Sequence, residues 1–89
     1  MPLQILNAGP DPVVIAGKVR DSIAHELPDA EVEVLPVSPG HFEIRVVWAG
    51  FADKNRVQQQ QAVYKAITPL MTGDAPPVHA VDKMECVVP

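Results

Sequence analysis

The spacing of apolar residues along the chain first follows a helical period. Between residues 12 and 27, apolar side chains recur at every fourth position, which is typical of one buried stripe on an amphipathic helix. Asp11 and Pro12 suit the start of this helix, because an aspartate can cap free N–H groups and proline is tolerated at the first position. Pro28 ends it, since the residue before a proline avoids helical geometry. The stripe consists of Ile15, Val19, Ile23 and Leu27.

The period then changes to two. Residues 31–36 alternate polar and apolar side chains and predict a half-buried strand, and residues 42–48 repeat the pattern more clearly. Ser38-Pro39-Gly40 lies between them and has the composition of a turn. The two strands are therefore expected to form an antiparallel hairpin with one apolar face.

A second helix is predicted at about residues 56–68, kinked or ended by Pro69. Residues 50–55 before it are interpreted as a connecting loop. A third strand should begin near Val78. The expected apolar side of the helix comprises Val57, Val63, Tyr64, Ala66, Ile67 and Leu70.

The predicted order is α-β-β-α-β, which places the chain in the α+β class. A three-stranded mixed sheet would carry both helices on one face, with the last strand parallel to a hairpin strand after a helical crossover. Residues 11–89 are expected to form a single domain. Residues 1–10 are interpreted as a flexible N-terminal leader with a short extended piece at Leu3–Leu6.

Composition narrows the class of protein. The 89 residues are 47% hydrophobic and 20% charged, as in a small soluble globule, and no apolar run is long enough to cross a bilayer. A cytoplasmic protein without a membrane partner is therefore expected. The net charge of −4 disfavours non-specific binding to nucleic-acid phosphates. The single cysteine, Cys86, excludes an internal disulfide and a dithiol redox site.

Catalytic signatures are missing from the sequence. It contains no HExxH, no phosphate-binding P-loop and no GxSxG nucleophile motif. No base can be placed beside Cys86, which a catalytic thiol would need. Glu31 and Glu33 fit a solvated strand face better than an acid–base pair. A non-enzymatic protein is expected.

The three histidines are the remaining candidates for chemistry. His25 should face solvent, because it lies away from the apolar stripe of the first helix. His41 and His79 each stand at the start of a predicted strand, where an imidazole can be ordered and still reach a metal. Two histidines do not make a zinc site. The alternative is that either ring is an ordinary strand-start residue bonded to backbone.

Several segments occur in an order that resembles the BolA family. They are the strand His41–Val47 followed by Phe51, the helix containing Val63-Tyr64, and the segment Val78-His79-Ala80-Val81. The resemblance covers roughly residues 13–84. It implies a fold similar to the class II KH domain. Gln59-Gln60-Gln61 stands where many members carry Arg-His-Arg, which resembles the IbaG/YrbA branch.

This resemblance implies a partner, a monothiol glutaredoxin, and a [2Fe–2S] cluster shared with it and with glutathione. His79 matches the histidine expected as the BolA-side ligand. The family's second ligand comes from the loop between the first two strands, but Val37–Gly40 contains no histidine or cysteine, so His41 is the nearest candidate. No cofactor is expected in the isolated protein. The shared cluster should loosen as the pH falls through about 6.5, because a protonated imidazole cannot bind a metal.

The function implied is that of an adaptor in iron–sulfur trafficking or in iron, redox or acid-stress regulation. The alternative is a nucleic-acid-binding regulator that uses the KH-like fold. It is disfavoured by the negative net charge and by the absence of a GxxG loop. A homodimer is left open by the sequence.

Overall fold

The computed structural model describes residues 11–89, and it has the predicted α-β-β-α-β order. A single turn of 3-10 helix, Ala49–Asp53, joins the hairpin to the second helix. The elements are α1 (Pro12–Glu26), β1 (Glu31–Ser38), β2 (His41–Val47), α2 (Arg56–Met71) and β3 (Ala80–Val87). The expected leader at residues 1–10, with its extended piece, lies outside the described residues.

The three strands form one mixed sheet in the order β1-β2-β3. β1 and β2 are antiparallel, with Glu31 opposite Val47 and Pro36 opposite Phe42. β3 runs parallel to β2, as expected for a strand reached through a helical crossover. The α+β class and the mixed sheet predicted from the sequence are confirmed.

α1 begins and packs as its sequence predicts. The side chain of Asp11 accepts a hydrogen bond of 2.8 Å from the backbone N–H of Val13, and Pro12 occupies the first turn. The predicted stripe is buried along its whole length. His25 lies on the opposite side, with 85% of its side chain exposed, which confirms the prediction for that residue.

One hydrophobic core lies between the helices and one face of the sheet. Phe42, Ile44 and Val46 of β2 point into it, and Val32 and Val34 of β1 pack against it while staying half-buried. The buried members from all elements are Ile15, Ala16, Val19, Ile23, Leu27, Phe42, Ile44, Val46, Phe51, Val63, Ala66, Ile67 and Val78.

α2 is longer than predicted. It continues to Met71 with Pro69 inside its last turn. A proline there removes the bond that its N–H would give to the carbonyl of Lys65, and only two residues of the helix follow it. The prediction that Val57 and Tyr64 belong to the apolar side was wrong, because they are 61% and 39% exposed.

Two connections also differ from expectation. The segment interpreted as a loop contains the 3-10 turn. In this turn Phe51 is fully buried and packs edge to face against Trp48, with ring centroids 5.2 Å apart.

α2 starts with a capping box, in which the side chains of Asn55 and Gln58 each accept a hydrogen bond from the other residue's backbone N–H. β3 starts at Ala80 rather than near Val78. No helix in residues 11–89 is long and apolar enough to span a bilayer.

Candidate functional site

The turn between β1 and β2 meets the segment leading into β3 at one end of the sheet. The carbonyl oxygen of Gly40 accepts two backbone hydrogen bonds, from the N–H of His79 at 2.8 Å and from that of Ala80 at 3.1 Å. Gly40 has φ +80°, a left-handed conformation that suits glycine. The turn therefore fixes the backbone of His79 before β3 begins.

The ring of His79 lies directly over this glycine. A Cβ added at Gly40 would come within 2.6 Å of His79 Nδ1 and 2.7 Å of its Cγ. His79 is nevertheless an exposed residue. The imidazole is thus both positioned by backbone contacts and reachable from outside, which are the two properties that a ligand to a partner's metal requires.

His79 borders an open groove of about 280 Å³ on the helix side of the sheet. Val78, just before it, is buried and donates its N–H to the carbonyl of Leu70 at 3.0 Å, which ties this segment to the end of α2. The groove is mainly apolar and rich in proline. Its other lining residues are Pro12, Ile15, Pro39, Gly40, Phe42, Ala75, Pro76 and Pro77.

His41, the second predicted site residue, is held differently. Its Nδ1 atom lies 3.0 Å from Oδ1 of Asp82, and both side chains are about 40% exposed. Asp82 is the extra residue of a β-bulge, since Phe42 pairs with Val81 and Glu43 with Lys83. When Nδ1 carries the proton and donates it to Asp82, Nε2 is the atom left to act as a ligand.

The two histidines lie at the same end of the sheet but not in one pocket. His41 pairs with Ala80, the residue after His79. Because Phe42 points into the core, alternation places His41 on the sheet face opposite the helices, whereas His79 lines the helix-side groove. Within residues 11–89 there is no group of three or more His, Cys, Asp or Glu side chains that could hold a metal ion.

Cys86 does not belong to this site. It pairs with Val46 near the far end of β3, away from His79. It is half-buried, and burial raises the pKa of its thiol above the ordinary value. A thiol kept protonated in this way is a weak nucleophile and a poor metal ligand.

Two residues of the site were not singled out from the sequence. Gly40 was interpreted only as part of a turn. The Pro-Gly pair was a signal for a left-handed glycine at this position, and a residue without a side chain leaves room for a neighbouring group. Asp82 lay in a stretch without clear alternation. Its contact with His41 depends on the bulge, for which the sequence has no local signal.

The comparisons with known proteins agree on one family. The family model described as BolA-like protein matches residues 18–86. No curated protein matches the chain significantly.

Several solved structures share the fold. The BolA domain of SufE1 from Arabidopsis thaliana has a TM-score of 0.72 at 23% identity, covering 84% of this chain and 92% of that chain. BolA1 from Arabidopsis thaliana has a TM-score of 0.67 at 21% identity, covering 83% and 90%. BolA1 from Mus musculus has a TM-score of 0.68 at 21% identity, covering 100% and 75%. With the family model spanning most of the sequence, the chain belongs to the BolA-like family.

Proposed function

We propose that this protein is a non-enzymatic adaptor that docks on a monothiol glutaredoxin and donates the imidazole of His79 to a [2Fe–2S] cluster. The cluster would be shared with the partner and with glutathione, in iron–sulfur trafficking or in iron, redox or acid-stress regulation. The observation that supports this most is the placement of His79. The backbone N–H of His79 is hydrogen-bonded to the carbonyl of Gly40, and its ring packs on that glycine. The residue is nevertheless exposed to solvent.

The donor set of residues 11–89 fits a shared cluster better than a resident one. Iron–sulfur clusters take four protein or cofactor ligands, usually thiolates, and these residues offer no cluster of three or more ligand side chains. Single imidazoles, by contrast, are presented at His79 and His41. A partner and glutathione would supply the thiolates, and an imidazole ligand would raise the potential of the cluster.

The groove beside His79 suits a protein partner. Its proline and apolar lining is open to solvent and directly adjoins the imidazole. Covering it would bury apolar surface close to the ligand and keep water from the metal. The prolines add little conformational entropy cost on docking because their backbone is already restricted.

His41 is the second ligand candidate in this proposal. A metal-binding histidine commonly gives its other ring N–H to a carboxylate, which fixes the tautomer and the ring orientation. Asp82 stands in that relation to His41. His41 and His79 lie on different faces at one end of the sheet, and of the two only His79 adjoins the groove that a partner would cover.

The test is to co-express the chain with a monothiol glutaredoxin and to record visible absorption and circular dichroism of the purified complex. His79→Ala should abolish or shift the bands of the shared cluster, and His41→Ala should change them less. His25→Ala is the matched control, since that imidazole is exposed on α1. A complex whose spectra are the same for wild type and His79→Ala would exclude His79 as a ligand.

A further inference from the structure

The outer edge of β1 is open in the described part of the chain. β1 is the first strand of the order β1-β2-β3, so only one of its two edges is paired within residues 11–89. An edge of this kind presents free N–H and C=O groups that another strand can use.

Exposed apolar side chains occur on β1 itself and on the first turn of α1, which packs over it. Among residues 11–89, four of the seven large exposed apolar side chains belong to the first turn of α1 or to β1. Val13 also lines a groove of about 310 Å³ with Val32, Val34 and Pro36 of β1. This groove lies on the helix side of the sheet and Leu35 lies on the other face, so apolar surface borders the edge on both faces. The four residues are Val13 (70% exposed), Val14 (55%), Leu35 (57%) and Val37 (53%).

We propose that a second copy of this chain pairs its own β1 antiparallel to this edge, with Val34 opposite Val34 of the second copy. The two three-stranded sheets would become one sheet of six strands, and α1 of each copy would lie over the new junction. The β1 edge is a surface different from the groove at His79, so this pairing does not depend on the function proposed above.

The backbone of β1 sets which groups are free for this pairing. Proline has no N–H and is accepted in a sheet only where that group is not needed for the ladder, so Pro36 must turn its N and C=O away from β2. Backbone groups alternate along a strand, so Val32 and Val34 also turn theirs outward. Pairing centred on Val34 then gives two bonds between the valines, and the N–H of each Val32 bonds the carbonyl of the opposing Pro36.

The charges of β1 select this register over its neighbours. Pairing centred on Glu33 would place the two Glu33 carboxylates opposite each other, and pairing centred on Val32 would oppose Glu31 and Glu33. Like charges directly opposite are destabilising. Pairing centred on Val34 instead places Glu33 opposite Leu35 of the second copy. Pairing centred on Leu35 avoids the repulsion but places Val34 opposite Pro36. Because proline has no N–H, the two strands would then make half as many backbone hydrogen bonds.

The dimer would leave the other candidate site untouched. β1 of each copy lies at the middle of the joined sheet, so β3 and the preceding His79 lie toward its two outer edges. The two-fold axis places the His79 groups at opposite ends. Each copy could then bind its own partner while paired.

Sedimentation velocity over about 10 µM to about 1 mM protein tests the pairing, because a single-strand interface is small and should give a weak, concentration-dependent dimer. Val34→Pro removes the central bonds while leaving the β2 side of the strand intact. It should be monomeric over the whole range, with circular dichroism confirming that it is folded.

A charge pair at one position tests the register without touching the backbone. Leu35→Glu places a carboxylate opposite Glu33 of the second copy, and should raise the dimer Kd about three- to tenfold; Leu35→Lys should lower it or leave it unchanged. Val57→Glu on α2, where the side chain is 61% exposed, is the control and should not change the Kd.

Other outcomes overturn the proposal. A wild-type chain that is monomeric at about 1 mM has no such interface. A dimer that survives Val34→Pro, or that responds equally to Leu35→Glu and Leu35→Lys, uses another surface. Slow hydrogen exchange of the Val34 amide that does not depend on protein concentration would show that a strand from the same chain occupies the edge instead.

Discussion

The imidazole of His79 rests on the backbone of Gly40, so close that a Cβ at that glycine would lie 2.6 Å from His79 Nδ1. The same glycine has a positive φ and accepts hydrogen bonds from His79 and Ala80. A turn in the β1–β2 hairpin therefore sets the position of a candidate ligand that follows almost forty residues later.

Gly40→Ala should disturb both the turn and the ring. We expect it to lower the free energy of unfolding by about 1–2 kcal/mol, because a left-handed alanine is strained, and to displace the imidazole of His79. Gly73→Ala is the matched control, with φ +103° and no atom within 4 Å of the added Cβ. Urea unfolding should show a loss for both variants, whereas only Gly40→Ala should change the spectrum of a glutaredoxin-bound cluster. Equal spectra would contradict the positioning role.

Asp82→Asn tests whether the carboxylate supports His41 as a ligand. If His41 binds iron, the variant should bind the cluster about tenfold more weakly or worse, as for other partners of metal-bound histidines, and should therefore lose it faster. The free energy of unfolding should change by less than about 1 kcal/mol, because the pair is partly exposed. Glu85→Gln, which loses an ion pair with Arg45 on the same sheet, is the control. Loss rates that match the wild type for both variants would remove His41 from the ligand set.

The sequence predicted elements whose signals are local and periodic. The fourfold spacing of α1 and the alternation of β2 are set by which side chains face the core, so they can be read before any tertiary contact is known. The end of α2 was misplaced because Pro69 lies in the last turn, where a proline costs one hydrogen bond without ending the helix. Val57 and Tyr64 were misassigned because apolar type alone does not fix a helix face.

Gly17→Ala should stabilise the protein. Gly17 lies inside α1, and a Cβ there would have no atom within 4 Å. We expect a gain of about 0.5–1 kcal/mol in the free energy of unfolding, from the lower backbone entropy of the unfolded chain. The urea midpoint measures it.

Gly50→Ala is the contrasting variant for that experiment. Its Cβ would overlap the Trp48 ring, which is held by a hydrogen bond of 2.9 Å from its Nε1 to the carbonyl of Pro28. This variant should be destabilised and should shift the tryptophan fluorescence. A Gly17→Ala protein that loses stability would show that α1 has neighbours that the packing of residues 11–89 does not reveal.

Cys86 should react slowly with thiol reagents. Burial raises the pKa of its thiol, so at about pH 8 less thiolate is present than in an unfolded chain, and a disulfide reagent should react faster after denaturation. Folding favours the neutral thiol, so this contribution to stability is complete below the unfolded thiol pKa and is lost as the pH rises through the folded one. Cys86→Ser should remove this loss of stability at alkaline pH. Reaction as fast in the folded as in the unfolded protein would contradict the effect of burial.

The candidate site was only partly accessible to sequence reasoning. His79 and His41 became candidates because strand starts and a family resemblance both indicated them. Their different surroundings follow from long-range contacts, with Gly40 for one and Asp82 for the other. Such contacts depend on strand register, and register is a property of the folded sheet rather than of any short segment.

The bulge gives β3 one residue more than regular pairing with β2 needs. Deleting Asp82 would leave Val81 opposite Phe42 and Lys83 opposite Glu43, so the side chains of β3 would keep their faces and only the carboxylate beside His41 would be lost. Residues 73–77, by contrast, form a turn-rich connection whose length can drift with little effect on the sheet. Natural insertions and deletions in related chains should therefore collect before His79, and a related chain without the extra residue of the bulge should keep the sheet but lose the carboxylate contact at the position of His41.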